Sequence, residues 1–124
     1  ARIVQQPMAS SWLLKRSDIE QSGGLFDEQF PIFFNDVDLA WRLWNNNVKT
    51  WFVPDAKVLH HGGASTRLVR PEMIAESHRS LRRFYHKHFQ SRLSPPVFRA
   101  TIGLLEATGR ARVRLAKQRK REPQ

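Results

Sequence analysis

The sequence predicts an α/β chain in which short strands near residues 48–60 are packed by helices and followed by further helices. Three patterns carry this expectation. Val48 to Val53 (VKTWFV) alternates β-branched and aromatic residues with others, as a strand does. Val37, Ala40, Trp41 and Trp44 recur at helical spacing just before it. Two long stretches after residue 70 repeat apolar positions every three or four residues. With 124 residues, 40% of them hydrophobic, one modest core is the ceiling.

Taken in order, Ser17-Asp18-Ile19-Glu20 has the form of a capping box, and Gly23-Gly24 offers a stop, so a short helix is expected over about residues 17–22. Leu25 to Phe34 (LFDEQFPIFF) is aromatic-rich and broken by Pro31, which suits a loop. A helix is expected from about 36 to 45, with Asp38 four residues before Arg42 and Asn45-Asn46-Asn47 as its stop. The strand at 48–53 turns at Pro54-Asp55 into a second short strand, Lys57 to His60. His61 to Arg67 has the small residues of a loop that lets backbone approach closely.

Pro71 fits the first turn of a helix over about 71–89, with Ile74, Leu81, Phe84, Tyr85 and His88 near one face. Ser94-Pro95 opens another, in which Val97, Thr101, Leu104, Thr108, Ala111 and Leu115 form the expected apolar seam among many arginines. Fraying is expected at Gly109 and at the final REPQ. Trp41, Trp44 and Trp51 are assigned to the core. The domain organisation expected is residues 1–92 as one part and 93–124 as a basic amphipathic helical tail.

The net charge of +10 is uneven. Residues 1–63 hold six Lys/Arg against seven Asp/Glu, residues 64–98 seven against two, and residues 99–124 eight against two. A slightly acidic first half is thus followed by helices suited to an anionic partner, and phospholipid, a lipid-linked phosphate and RNA all fit on charge alone. The absence of cysteine excludes a disulfide framework, a thiolate zinc site and a cysteine nucleophile. No apolar run reaches the roughly 18 to 20 residues of a membrane span, and ARIVQQPMAS lacks a signal-peptide core. A soluble or peripheral protein of the reducing cytoplasm is the expectation.

The chemistry-bearing stretch is Phe33 to Arg42 (FFNDVDLAWR). It puts Asp36 in the first turn of a helix, where free N–H groups and the helix dipole favour negative charge. Taken alone, such a residue does no more than stabilise a helix start. Its context is a resemblance. Ser22-Gly23-Gly24-Leu25-Phe26-Asp27-Glu28, then Phe33 to Arg42, then Val53-Pro54-Asp55-Ala56, then Val58-Leu59-His60-His61-Gly62-Gly63-Ala64-Ser65 resemble, in order and spacing, the blocks of glycosyltransferase family 2, especially its rhamnosyltransferase-like members. The similarity covers about residues 7–90, the C-terminal, acceptor-side portion of the catalytic domain.

The resemblance implies a partial nucleotide-diphospho-sugar transferase (GT-A-like) domain with a helical C-terminal extension. It implies inverting transfer of a sugar from a nucleotide-diphosphate donor to a hydroxyl of a saccharide or lipid-linked acceptor, in cell-surface polysaccharide synthesis. The family's Glu-Asp-x-Asp-x-x-x-Arg pattern corresponds to Asn35-Asp36-Val37-Asp38 and Arg42. Asp36 thereby takes the general-base role, with Asn35, Asp38 and Arg42 supporting; Asn35 departs from the usual acid and takes up no proton. The resemblance puts His60 where some members bind a divalent metal (Mg or Mn); a core histidine bonded to a carbonyl is the alternative. Ser65, Thr66 and Arg67 fall near the donor diphosphate, and Trp12 falls in the region that lines the acceptor pocket, where its indole face suits a sugar and its N–H is open to donate. The Asp-x-Asp metal motif and the parallel strands of the N-terminal half precede this region in the family, so a fragment that is inactive by itself, and needs the metal only as a complete enzyme, is expected. No nucleic acid is expected as partner. The rival reading is a non-catalytic basic module for nucleic acid or for an anionic membrane surface; membrane docking also fits the transferase reading, with the chain peripheral on the inner face of the membrane.

Overall fold

The computed structural model describes residues 1–59 and 70–119, and of Arg70 and Arg119 only the backbone. The elements are β1 (Arg2–Val4), α1 (Arg16–Gln21), α2 (Asn35–Asn45), β2 (Thr50–Phe52), α3 (Arg70–Phe89) and α4 (Pro95–Arg119). They group into two compact units, Ala1–Gly62 and Gly63–Gln124. Within the second unit α3 packs along α4. The described residues are mostly helical, with one two-stranded sheet.

In the first unit β1 and β2 pair antiparallel, Arg2 opposite Phe52, Ile3 opposite Trp51 and Val4 opposite Thr50. The three-residue β1 is not foreseen from the sequence, since so short a strand is specified by its partner and not by its own pattern. Residues 57–59 adopt no strand, so the second short strand is absent as far as Leu59. The sheet leaves apolar groups open on both faces: Trp51 is 58% exposed, and Ile3 and Phe52 are exposed as well. Trp51 and Trp44, at 40%, therefore do not belong to the core as expected, while Trp41 is half-buried. With only two strands, alternation turns one row of side chains to each side and nothing obliges either to be covered.

The capping box at α1 does not form. The helix starts one residue early, with Lys15 as N-cap and no side-chain cap, so Ser17 lies inside the first turn. The stop works as the glycines suggest. Gly23 and Gly24 have φ of 83° and 99°, Gly24 N–H donates to Ile19 O at 3.0 Å and Gly23 N–H to Glu20 O at 3.1 Å, a Schellman closure. The end of α2 repeats the device with Asn47 at φ 59°: Val48 N–H donates to Leu43 O and Asn47 N–H to Trp44 O, both at 3.0 Å. Phe30, Leu39, Ala40 and Leu43 form the buried apolar centre.

Arg42 locks these parts together. Its Nε donates to Asp38 Oδ2 at 2.8 Å, one Nη to the carbonyls of Ser22 and Gly24 at 2.6 and 2.7 Å, and the other to the carbonyl of Leu25 at 2.5 Å. Asp38 is fully buried, and the guanidinium is its counter-charge. The planar donor fork of arginine serves a carboxylate and several carbonyls at once; a lysine ammonium cannot reproduce that geometry.

In the second unit α3 and α4 run antiparallel, as their contacts require. Arg82 bonds Glu106 at 2.6 Å, the His86 and Phe98 rings meet edge-on at 5.0 Å, and Gly109 lies against His78. Phe84 stacks with its own helix, its ring 4.8 Å from that of His88 and 6.1 Å from Phe89. The seam expected on α4 is not the one that packs. Phe98, Ile102, Leu105, Gly109, Val113 and Ala116 are covered or half-covered, as are Thr101 and Glu106, whereas Leu104 is 65% and Leu115 57% exposed. Gly109 does not fray the helix; it is buried within it.

Two outcomes test this fold. Gly103 has open space where a Cβ would stand, so Gly103→Ala stabilises by about 1 kcal/mol through helix propensity; a Cβ on Gly109 would meet the His78 ring at 3.0 Å, so Gly109→Ala lowers the melting temperature instead. Arg42→Met leaves Asp38 buried without its counter-charge and costs about 3–5 kcal/mol in denaturant unfolding, and Arg42→Lys recovers only part of that.

Candidate functional site

The N-terminus of α2 is built on an unusual backbone. Phe34, the N-cap, has φ 67° and ψ 1°, left-handed values that a bulky aromatic residue rarely adopts. Strain of this kind persists where the surroundings hold it, and it clusters at functional sites. From this conformation the Phe34 carbonyl accepts the Asp38 N–H at 2.8 Å and opens the helix. Asn35 and Asp36 follow as the first two helical residues.

Both side chains turn back onto the first-turn donors. Asn35 Oδ1 accepts the Asp36 N–H at 2.8 Å, and Asp36 Oδ1 accepts the Val37 N–H at 2.9 Å. These bonds satisfy N–H groups that a helix start leaves without intrahelical partners. Asp36 Oδ2 has no hydrogen-bond partner among the described residues, and the residue is half-buried, neither sealed in nor fully in water. Two residues on, about 200° around the helix, Asp38 turns inward to Arg42. One carboxylate of the pair is thus structural. The other is fixed through one oxygen and leaves the second open to accept a proton.

The other expected site residues fare unequally. Trp12 is half-buried in an irregular segment, and its indole Nε1–H donates to the Met8 carbonyl at 3.0 Å. That N–H is not open for a ligand as expected. His60, Ser65, Thr66 and Arg67 lie outside the described residues. Among the described residues no three His, Asp or Glu side chains gather where they could hold a metal ion.

The sequence pattern missed two features of this site. The strained Phe34 carries no signal in a single sequence, because aromatic residues do not ordinarily mark positive φ. The carbonyls of Ser22, Gly24 and Leu25 as Arg42 acceptors are equally silent, being backbone atoms 17 to 20 residues away; the Gly23-Gly24 pair is the one hint that this backbone bends sharply.

No protein-family model matches the chain, and no solved structure does. Among curated proteins the chain is similar to an N-acetylglucosaminyl-diphospho-decaprenol L-rhamnosyltransferase of Mycobacterium tuberculosis, in strains CDC 1551 / Oshkosh and ATCC 25618 / H37Rv alike, at 39% identity over 71 residues. The match takes in 57% of the chain and 23% of the relative, so the aligned stretch spans under a quarter of the relatives it matches.

Proposed function

We propose that the chain is the acceptor-side part of an inverting glycosyltransferase of family 2, within a nucleotide-diphospho-sugar transferase (GT-A-like) domain completed by further sequence. The observation that carries this reading is Asp36: a carboxylate held by the Val37 N–H through one oxygen, with the other oxygen unpartnered among the described residues at a half-buried helix start. The similarity to rhamnosyltransferases supports it from a separate direction. The open apolar faces of the β1/β2 sheet suit a chain that adjoins more of such a domain.

In this reading Asp36 Oδ2 takes the proton of an acceptor hydroxyl as that oxygen bonds to the anomeric carbon of the donor sugar. The bond from that carbon to the diphosphate breaks, the nucleoside diphosphate leaves with the electron pair, and configuration inverts. Asp38 and Arg42 hold the helix that presents Asp36 and touch neither substrate. Trp12 offers its ring face to the acceptor sugar. The divalent metal belongs to the complete enzyme, and no step described for these residues runs through it. A saccharide or lipid-linked acceptor and a nucleotide-sugar donor are the substrates proposed.

An anionic membrane surface is the further partner proposed, on the strength of α4. Val97, Leu104, Ala111 and Leu115 form an exposed stripe. Thr101 and Thr108 sit beside it with their hydroxyls bonded back to the carbonyls of Val97 and Leu104, both at 2.9 Å, which hides their polar atoms. Arginines 110, 112 and 114 flank it and are exposed. No described helix is long and apolar enough to cross a membrane; a cation-flanked apolar stripe suits lying on one.

In the intact enzyme Asp36→Asn abolishes turnover while donor binding persists. Because Asn still accepts the Val37 N–H, unfolding stability stays within about 0.5 kcal/mol of the parent, so lost activity is not lost fold. Unchanged turnover removes the base assignment. For the membrane face, the chain co-sediments with phosphatidylglycerol vesicles and not with phosphatidylcholine vesicles, and Leu104→Glu weakens the binding about tenfold; absence of sedimentation at low salt counts against it.

A further inference from the structure

The helical hairpin carries a groove that the transferase reading does not use. It runs between α3 and α4, has a volume of 460 Å³, and is lined between Ala75 and Arg82 on one helix and between Leu105 and Arg114 on the other. At the 1.5 Å rise per residue of a helix, those spans make it roughly 10–14 Å long, about two to three helical turns. Its floor is apolar. Ala75, Leu105 and Val113 line it and are each half-buried, so each keeps hydrocarbon in contact with water that a partner could cover.

The rims carry charge of one sign. Arg79 and Arg82 stand along α3, and Arg110 and Arg114 along α4, against the single lining carboxylate of Glu106. The pairs already made are surface pairs: Arg79 meets Glu76 at 2.8 Å and Arg82 meets Glu106 at 2.6 Å, with the arginine side chains 58% and 42% exposed. Exposed pairs of this kind contribute little and exchange readily for another carboxylate. Arg110 reaches Glu106 only at 3.6 Å, and Arg114 has no ion-pair partner among the described residues. The four arginines are strung along the groove instead of meeting at a point, so a partner answers them with carboxylates spaced along its own length.

The floor and the rims together select the occupant. An extended segment laid between two helices finds no strand edge and leaves its backbone N–H and C=O groups unpaired over the apolar floor, whereas a helix pairs its own. A second copy of the hairpin brings the same arginines to the contact and is repelled. Nucleic acid gains nothing from an aliphatic floor, and among the described residues no Phe, Tyr or Trp lines the groove for bases to stack on. We propose that the groove docks an acidic amphipathic helix of a protein partner, its apolar stripe on Ala75, Leu105 and Val113 and its Asp or Glu residues along both flanks against the rim arginines. The docked helix uses a different stripe of α4 from Leu104 and Leu115. The proposal does not depend on the role of Asp36.

The test uses the full chain at low ionic strength with three end-capped peptides of about four helical turns. The first has Leu at helical spacing flanked on both sides by Glu, the second has Lys in place of Glu, and the third has the composition of the first in an order that breaks the period. Calorimetry is expected to show saturable one-to-one binding of the first peptide, with a gain of peptide helicity in circular dichroism and movement of the Ala75, Leu105 and Val113 signals in NMR spectra. The second and third peptides bind at least about tenfold more weakly. Arg79→Glu and Arg114→Glu each weaken the first peptide about fivefold. Arg99→Glu, the same charge change on α4 outside the groove lining, and Leu104→Glu, on the membrane stripe, leave it within about twofold. Absence of binding, equal binding of the first and third peptides, or equal weakening by Arg79→Glu and Arg99→Glu overturns the proposal. So does self-association that Arg79→Glu strengthens, which puts a second copy in the groove, or tighter binding of a single-stranded oligonucleotide that the same change weakens. All four substituted positions are exposed, and helical circular dichroism verifies that each variant folds; the comparison of the three peptides on the parent chain decides the matter without any variant.

Discussion

The first unit depends on one guanidinium. Arg42 joins a fully buried carboxylate of its own helix to three backbone carbonyls of the segment that follows α1. Removing those carbonyls from water without a donor would be costly, and so would burying Asp38 without a cation. A single planar group with five N–H donors meets both requirements. Everything nearby is arranged for it: Gly23 and Gly24 adopt positive φ so that the chain can reverse and aim its carbonyls inward, and the i, i+4 spacing brings Asp38 under the guanidinium.

That clamp has a consequence at the other side of α2. Once Asp38 faces inward, helical geometry turns Asp36 away from it, and the left-handed Phe34 places both at the start of the helix. The two aspartates differ by two positions in the chain and entirely in environment. One has an ion pair in the interior. The other has one backbone N–H and an open oxygen, which is the arrangement that suits a proton acceptor and the reason the proposed mechanism assigns the chemistry to Asp36 alone.

In the second unit the decisive constraint is close packing of two helices rather than a buried charge. Gly109 admits the His78 ring, Phe98 meets His86, and Arg82 reaches across to Glu106. These contacts choose which face of α4 is covered. They leave Leu104 and Leu115 on an outer stripe and arrange arginines from both helices around a groove. Arg110 and Arg114 border both, so the two surfaces adjoin and share part of the basic balance of the later residues.

From the residues alone came the helices, their stops and the Asp38–Arg42 pair, because propensity, turn residues and i, i+4 spacing act within a few positions of the chain. The resemblance, also read from the residues, singled out Asp36. Tertiary structure decided what depends on partners distant in sequence. β1 exists because β2 lies beside it; Trp44 and Trp51 stay exposed because no layer covers them; and Trp12 spends its N–H on Met8 because the local chain folds that way. On α4 two apolar stripes share one helix, and periodicity favoured the one with regular steps. Only the shape of α3, with a histidine that needs a glycine opposite, determined that the other stripe is buried.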